Sequence, residues 1–167
     1  EHDLAHDLLL PRAVLRAAAA AVLVVEVHRG HSGFVGELGH MRLRMEGSQE
    51  LASLNELVGR VPLMERYRTL RSEDDGSSGV VLSSNQTLIS KAQAGDPIAQ
   101  EVIRESGHWL GVAISNIIHF LNPELIVLGG SLSAGGDLLL KPVQKAVEEL
   151  MGWEKLKQTR VTLGRLG

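Results

Sequence analysis

The segment RGHSGFVGELGHMRL, residues 29–43, carries a glycine at every third position from Gly30 to Gly39. Collagen shows the same glycine period but combines it with abundant proline, which this segment lacks, so the pattern is that of a local loop and not of a fibre. Glycine has no Cβ atom, and a backbone rich in it turns tightly. The segment therefore predicts a loop that another molecule can approach closely.

Two titratable side chains stand among these glycines. In GELGH, Glu37 and His40 are three residues apart, which places both side chains on one side of a helical turn. A carboxylate accepts hydrogen bonds from two hydroxyl groups and an imidazole donates or accepts one, so the pair suits a polyol or a metal ion. Spacing alone also allows a commoner interpretation, in which Glu37 is a solvated or capping acid and His40 a surface histidine.

The composition is that of one compact soluble domain or of two small lobes. The chain has 167 residues, of which 44% are hydrophobic, and a net charge of -3. With two Trp, one Tyr and two Phe, it offers few surfaces on which unpaired bases could stack. Nucleic-acid binding by this segment itself is therefore not expected.

The chain has no Cys, which excludes disulfides and thiolate metal sites and is compatible with a reducing cytoplasm. Its longest apolar run, residues 17–25, is too short to cross a bilayer, and its first residues are acidic, unlike those of a signal peptide. We expect a cytoplasmic protein with no membrane partner. The start at Glu1 without Met is compatible with a piece of a longer protein.

In the first half of the chain, a helix is predicted over residues 4–20 with a break or kink at Pro11. AVLVVEV, residues 21–27, is predicted to be a strand buried on both faces. Residues 53–70 indicate short helical pieces interrupted at Gly59 and Pro62, and RSEDDGSSG after them indicates a polar loop.

The second half carries clearer signals. Asp96 and Pro97 predict the start of a long helix that Asn122-Pro123 ends, with apolar residues at Ile98, Val102, Leu110, Ile114, Ile117 and Leu121. ELIVLGG, residues 124–130, predicts a strand, and RVTLG, residues 160–164, a last one. Between them, Asp137 is predicted to cap a helix with one apolar face, formed by Leu139, Val143, Val147 and Leu150. This succession predicts an α/β architecture.

Two of these motifs resemble those of the ROK family, which contains sugar kinases and sugar-responsive transcriptional repressors. GHSGFVGELGHMRL resembles its signature, and NPELIVLGGSL, residues 122–132, its later strand-glycine motif. Residues 94–124 are similar to the long helix of the family. The resemblance implies an actin-like, hexokinase-like ATPase fold with two ribonuclease-H-like lobes around a cleft. Residues 1–167 would form a single domain, mainly the C-terminal lobe.

The resemblance also implies roles for individual residues. Glu37 and His40 fall at the positions of the sugar-binding acid and of the histidine that contacts sugar and zinc. Asn55 falls at the position of a further sugar-binding acid. EHDLA, residues 1–5, resembles the family stretch ENDAN, which makes Asp3 the match for the catalytic base that deprotonates the sugar hydroxyl. The alternative for Asp3 is a solvated acid near a chain end.

The sequence departs from the family at its zinc site. The family follows the histidine with a cysteine cluster that completes four zinc ligands. A gapless placement sets at the cysteine positions Glu46, Ser48 and Ser53. Because serine is a poor zinc ligand and His40 with Glu46 alone would bind weakly, no metal site is predicted and zinc is not expected. The family's acid is absent here because Asn55 stands at its position, and Glu56 replaces it only if the alignment with the family motif shifts by one residue.

A second departure concerns ATP. Family kinases carry a glycine-rich turn that holds the phosphates after the strand that AVLVVEV resembles, whereas here VEVHRGHSG runs directly into the sugar loop. Gly129 and Gly130, after LIVL, remain as cofactor-binding candidates because their backbone admits close approach of a nucleotide and the next helix offers a positive end. An ordinary tight turn explains the same two glycines equally well.

Three functions follow from the resemblance. We favour the sugar-sensing and dimerising domain of a ROK-type transcriptional regulator, because a sensor tolerates the missing phosphate turn. It would bind a sugar, need no cofactor, form a homodimer and contact DNA only through a segment before Glu1. An ATP-dependent, glucokinase-like sugar kinase would instead use Asp3 as base, with ATP and Mg²⁺. The third possibility is a degenerate lobe that serves only oligomerisation.

Overall fold

The computed structural model describes residues 12–16, 30–45, 47, 49–75, 82–152 and 158–164. These ranges contain five strands and five α-helices. The strands are β1 (Arg12–Arg16), β2 (Arg42–Arg44), β3 (Leu51–Ser53), β4 (Leu125–Gly129) and β5 (Arg160–Leu163). The α-helices are α1 (Leu54–Val58), α2 (Arg60–Asp75), α3 (Asn85–Gln93), α4 (Pro97–Leu121) and α5 (Asp137–Leu150).

The described strands form two separate sheets. β4 is the middle strand of a parallel sheet ordered β1-β4-β5, in which Val14 pairs with Val127 and Ile126 with Val161. β2 and β3 form an antiparallel hairpin with Leu43 opposite Ala52. Parallel strands joined by helical connections are the mark of an α/β fold. The predicted architecture and the strands predicted at 124–130 and 160–164 are thus confirmed.

The helix predicted over residues 4–20 is wrong for residues 12–16, which form β1. The intrinsic helix propensity of RAVLR does not determine its conformation. The segment forms a strand because its backbone pairs with β4, more than a hundred positions away along the chain. Pro11 disfavours a helical conformation in the residue before it but leaves the residues after it free to be extended. The strand predicted at 21–27 lies outside the described residues.

Helix α4 matches its prediction. The Asp96 carboxylate accepts hydrogen bonds from the backbone N–H groups of Ile98 and Ala99, both at 3.0 Å, and Asn122 ends the helix with φ 44°. The helix is buried along most of its length, and α1, α2, α3 and α5 all pack against it. It is the scaffold on which the rest of the described chain is arranged.

Acidification is expected to destabilise the protein through Asp96. Burial acts to raise the pKa of Asp96, but hydrogen bonds from the Tyr67 hydroxyl, at 2.7 Å, and from the backbone of Ala99 and Ile98, together with the charge of Arg71, outweigh it and hold the pKa below its ordinary value. A depressed pKa stabilises the fold above the unfolded-state value of about 3.9, and this contribution is lost as the pH falls through the lower folded-state value.

Urea unfolding of the wild type and of Asp96→Asn between pH 6 and pH 3 checks this expectation. Asn retains the N-cap hydrogen bonds but does not titrate, so the free energy of unfolding of the variant should depend less steeply on pH in this range. Equal slopes for the two proteins would contradict the assignment.

Three other sequence predictions need correction. Pro62 does not interrupt a helix, because it lies in the first turn of α2, where its missing N–H costs no hydrogen bond. Residues 71–75, predicted as loop, continue α2 to Asp75. Asp137 does not cap α5: Gly136 holds the N-cap position without a side-chain hydrogen bond, and Asp137 pairs with Lys141 at 3.1 Å. The interruption predicted at Gly59 is confirmed.

The apolar face predicted for α5 is buried at Leu139, Val143 and Val147, whereas Leu150 is 45% exposed in the last turn. That face packs on α4 at two glycines. A Cβ atom at Gly107 would lie 2.8 Å from the Pro142 Cβ, and one at Gly111 2.5 Å from the Ala146 Cβ. The two helices therefore approach each other more closely than any larger residue at these positions would allow.

None of the helices in the described ranges has the length and apolar composition that a bilayer span requires.

Candidate sugar-contact loop

The glycine segment forms a series of turns that leads into a single turn of 3₁₀ helix, Leu38–His40. Gly33 and Gly36 have φ angles of 80° and 85°, a region that residues with a Cβ rarely occupy. The glycine period is therefore needed by the backbone itself. The side chains between Gly30 and Gly36 are exposed, with Phe34 75% exposed, whereas Leu38 packs against the core.

Glu37 and His40 stand at the two ends of this tight turn. The His40 N–H donates to the Glu37 carbonyl oxygen at 3.1 Å, and the Leu38 N–H donates to Gly36 at 2.7 Å. Both titratable side chains are exposed. The turn thus fixes their backbones relative to each other and leaves the carboxylate and the imidazole open to a ligand.

The third predicted sugar contact, Asn55, lies against the same turn. Gly39 is buried, and a Cβ atom at this position would run into the Asn55 carboxamide. The Leu54 N–H, at the start of α1, donates to the Met41 carbonyl oxygen at 2.9 Å. The structure therefore places the Asn55 carboxamide against Gly39, within the turn that Glu37 and His40 flank, although the β2–β3 hairpin separates Asn55 from the loop along the chain.

Helix α1 begins with a hydrogen-bonded cap. The Ser53 hydroxyl accepts from the Glu56 N–H at 3.2 Å, and the Glu56 carboxylate accepts in return from the Ser53 N–H at 2.6 Å. Arg42 of β2 lies 3.5 Å from the same carboxylate. Hydrogen bonds from Ser53, assisted by the charge of Arg42, hold the pKa of Glu56 below its ordinary value.

This cap was missed in the sequence, although Ser-x-x-Glu before an apolar residue is its signal. The cap also affects whether Glu56 is available to replace the family's sugar-binding acid, which is absent at Asn55. The Glu56 carboxylate is already bonded to the Ser53 backbone and paired with Arg42, whereas the Asn55 side chain faces the loop at Gly39.

Of the three residues at the family's cysteine positions, the structure describes Ser53, and this residue does not suit a zinc ion. The Ser53 hydroxyl serves as a helix cap, and a neutral hydroxyl is a poor ligand for this metal. No group of three or more His, Asp or Glu side chains in the described residues could hold a metal ion. Glu46 and Ser48 lie outside those residues.

Gly129 and Gly130 lie in a different place, at the carboxyl end of the middle strand β4. Gly130 has φ 94°, and its carbonyl oxygen accepts from the Ser133 hydroxyl at 2.7 Å. The next residue, Ser131, accepts from the Asn85 side chain of α3 at 2.8 Å. This contact was missed in the sequence because its partners are 46 positions apart and belong to no common motif.

The fit of this turn to ATP is incomplete. The carboxyl end of a parallel strand and two glycines allow close backbone approach. The helix that directly follows Gly130 is, however, a short 3₁₀ helix, Ser131–Gly135, and α5 begins only at Asp137, whose carboxylate pairs with Lys141. The predicted base Asp3 lies outside the described residues.

The fold of this chain is shared with solved structures of the ROK family. The chain superposes on a ROK family transcriptional regulator, a homologue of the E. coli MLC protein, with a TM-score of 0.77 over 93% of this chain and 41% of that one. At 22% identity this likeness shows the fold, which is the α/β lobe of an actin-like, hexokinase-like ATPase. The predicted fold class is confirmed.

Residues 18–164 match the ROK family, and the chain belongs to it. It is 31% identical to a glucokinase of Halalkalibacterium halodurans over 71% of this chain and 39% of that protein. It is 27% identical to the Escherichia coli regulator NagC over 94% of this chain and 39% of that protein. The chain thus spans about two fifths of the length of these relatives, which include both a kinase and a regulator.

Proposed function

We propose that this chain is the sugar-sensing and dimerising lobe of a cytoplasmic ROK-type transcriptional regulator. The observation that carries the proposal is the contact of the Asn55 carboxamide with the buried Gly39, in the turn between Glu37 and His40. A sugar is recognised by a small number of polar groups close to one another, and the packing of α1 against the 3₁₀ turn supports such a site here.

In this proposal each of the three side chains has a distinct role. The Glu37 carboxylate accepts hydrogen bonds from two neighbouring sugar hydroxyls, and the His40 imidazole accepts or donates one more. The Asn55 carboxamide both donates and accepts, so it suits a hydroxyl or the carbonyl of an acylated amino sugar. Together they provide the directional contacts by which one sugar is distinguished from another.

A sensor works by binding its ligand more tightly in one conformation than in another. Sugar bound at the glycine loop would favour one arrangement of this lobe, and a DNA-binding segment before Glu1 would respond through the homodimer. No phosphoryl transfer is required. The direct run of VEVHRGHSG from the predicted strand into the loop, without a phosphate-holding turn, is compatible with this role.

Similarity to a glucokinase supports a second candidate, an ATP-dependent sugar kinase. Gly129 and Gly130 would then lie against ATP, which brings Mg²⁺ and supplies the phosphoryl group, and Asp3 would accept the proton of the attacking hydroxyl. The direct run from AVLVVEV into the sugar loop argues against efficient transfer, since the glycine-rich turn that holds the phosphates in family kinases is missing there.

An ADP-release assay on the full-length protein, with hexoses and N-acetylated amino sugars, separates these candidates. We expect no sugar-dependent ADP release, while the sugar that binds changes the affinity of the protein for its operator DNA. Sugar-dependent turnover that disappears in Asp3→Asn would establish the kinase. If no sugar binds and the protein is still a dimer, the lobe serves only oligomerisation.

A further inference from the structure

The position of the sugar-contact loop depends on α1, a helix of five residues. An isolated helix of this length is unstable in water, because few of its hydrogen bonds repay the cost of nucleation. α1 nevertheless holds Asn55 against Gly39 and donates the Leu54 N–H to Met41. An additional interaction must therefore stabilise the first turn of α1.

The reciprocal Ser53–Glu56 cap lies at that turn, and Ser53 also belongs to the hairpin. Ser53 is the last residue of β3 and pairs with Arg42 at the start of β2, directly after Met41. The Ser53 side chain is buried, whereas the Arg42–Glu56 ion pair has side chains that are 61% and 62% exposed. Exposed pairs contribute little, so the cap is the stronger connection.

We infer that Ser53 and Glu56 are positioning residues that hold the sugar-contact loop on α1 through the hydrogen bonds of the cap, without a metal ion. The inference rests on the proposed function, because the side chains positioned are the proposed sugar contacts. Neither residue touches the sugar. The cap fixes the direction of the chain at Leu54. The Leu54 N–H then holds the Met41 carbonyl oxygen, and with it the 3₁₀ turn that precedes Met41.

Sugar binding by the full-length protein tests the inference with a matched control. Ser53→Ala removes the cap and should weaken binding about three- to tenfold, since the loop must then be ordered at the expense of binding. Ser53→Thr retains a capping hydroxyl and should restore most of the affinity. Ser84→Ala removes an equivalent cap from α3, where the Ser84 hydroxyl accepts from the Thr87 N–H at the same 3.2 Å.

Amide hydrogen exchange without sugar gives a readout that general destabilisation does not reproduce. The Met41 and Leu54 amides should exchange faster in Ser53→Ala than in Ser84→Ala, because their acceptors, Leu38 and Met41, lie in the anchored segment. Equal exchange in the two variants would overturn the inference. This comparison decides the matter even if the wild type binds no sugar, a result that would refute the proposed function alone.

Chelation supplies the test against a metal anchor. EDTA should leave both the exchange of these amides and the sugar affinity of the wild type unchanged, because hydrogen bonds hold the loop. A loss of either on chelation, restored by adding zinc, would overturn the inference.

Discussion

Gly111→Val is expected to destabilise the protein strongly, because it forces a side chain into the contact between α4 and α5. A Cβ atom at Gly111 would lie 2.5 Å from the Ala146 Cβ and 2.7 Å from the Val143 carbonyl oxygen. The second contact is with backbone, so no rotamer change relieves it. Overpacking of a core costs about 1–3 kcal/mol, and a clash with a neighbouring helix backbone should reach the upper end of that range.

Thermal unfolding followed by circular dichroism measures this effect. For a chain of this size about 3 kcal/mol corresponds to a fall in Tm of roughly 6–12 °C. Gly152→Val is the control, because no described atom lies within 4 Å of a Cβ at Gly152. A Tm for Gly111→Val within a degree or two of the wild type would show that α4 and α5 do not pack as closely as the structure has them.

The second large effect is expected on sugar binding. Glu37→Ala should lower the sugar affinity about tenfold to hundredfold, because a hydrogen bond to a charged group contributes about 1.5–3 kcal/mol. His40→Ala should lower it less, since an imidazole lacks the full negative charge with which a carboxylate strengthens a hydrogen bond from a hydroxyl. Both side chains are exposed, so neither variant should change the Tm appreciably.

Isothermal titration calorimetry with the sugar that the wild type binds measures these affinities. Glu65→Ala is the matched control, because it removes the same charge from an exposed position on α2. An affinity of Glu37→Ala equal to that of Glu65→Ala would remove Glu37 from the site.

The parts of the fold that the sequence predicts are those specified by local signals. Asp96-Pro97 and Asn122-Pro123 mark both ends of α4, and these residues act over single turns of chain. β1 is mispredicted because its conformation depends on pairing with β4, which no local pattern reports. The close contact at Gly111 was equally invisible, since a glycine within a helix signals nothing until the neighbouring helix is known.

The residues of the candidate site also differ in whether a local sequence motif reveals them or their role depends on the folded chain. The loop, Glu37 and His40 were found because they form one continuous motif, and the structure places them on one turn. Asn55 emerged from the resemblance alone, and its contact with Gly39 depends on the path of the hairpin between them. The role of Ser53 was missed because its position was compared with a cysteine of the family and not with the helix cap that its own sequence forms.

Calorimetric titration of the wild-type, full-length protein with a panel of hexoses and N-acetylated amino sugars tests whether this lobe binds a sugar without a metal ion or a nucleotide. We expect saturable binding of at least one sugar, with one site per chain, in the presence of EDTA and without ATP. The absence of heat with every sugar, from a protein shown to be folded by its thermal transition, would contradict it.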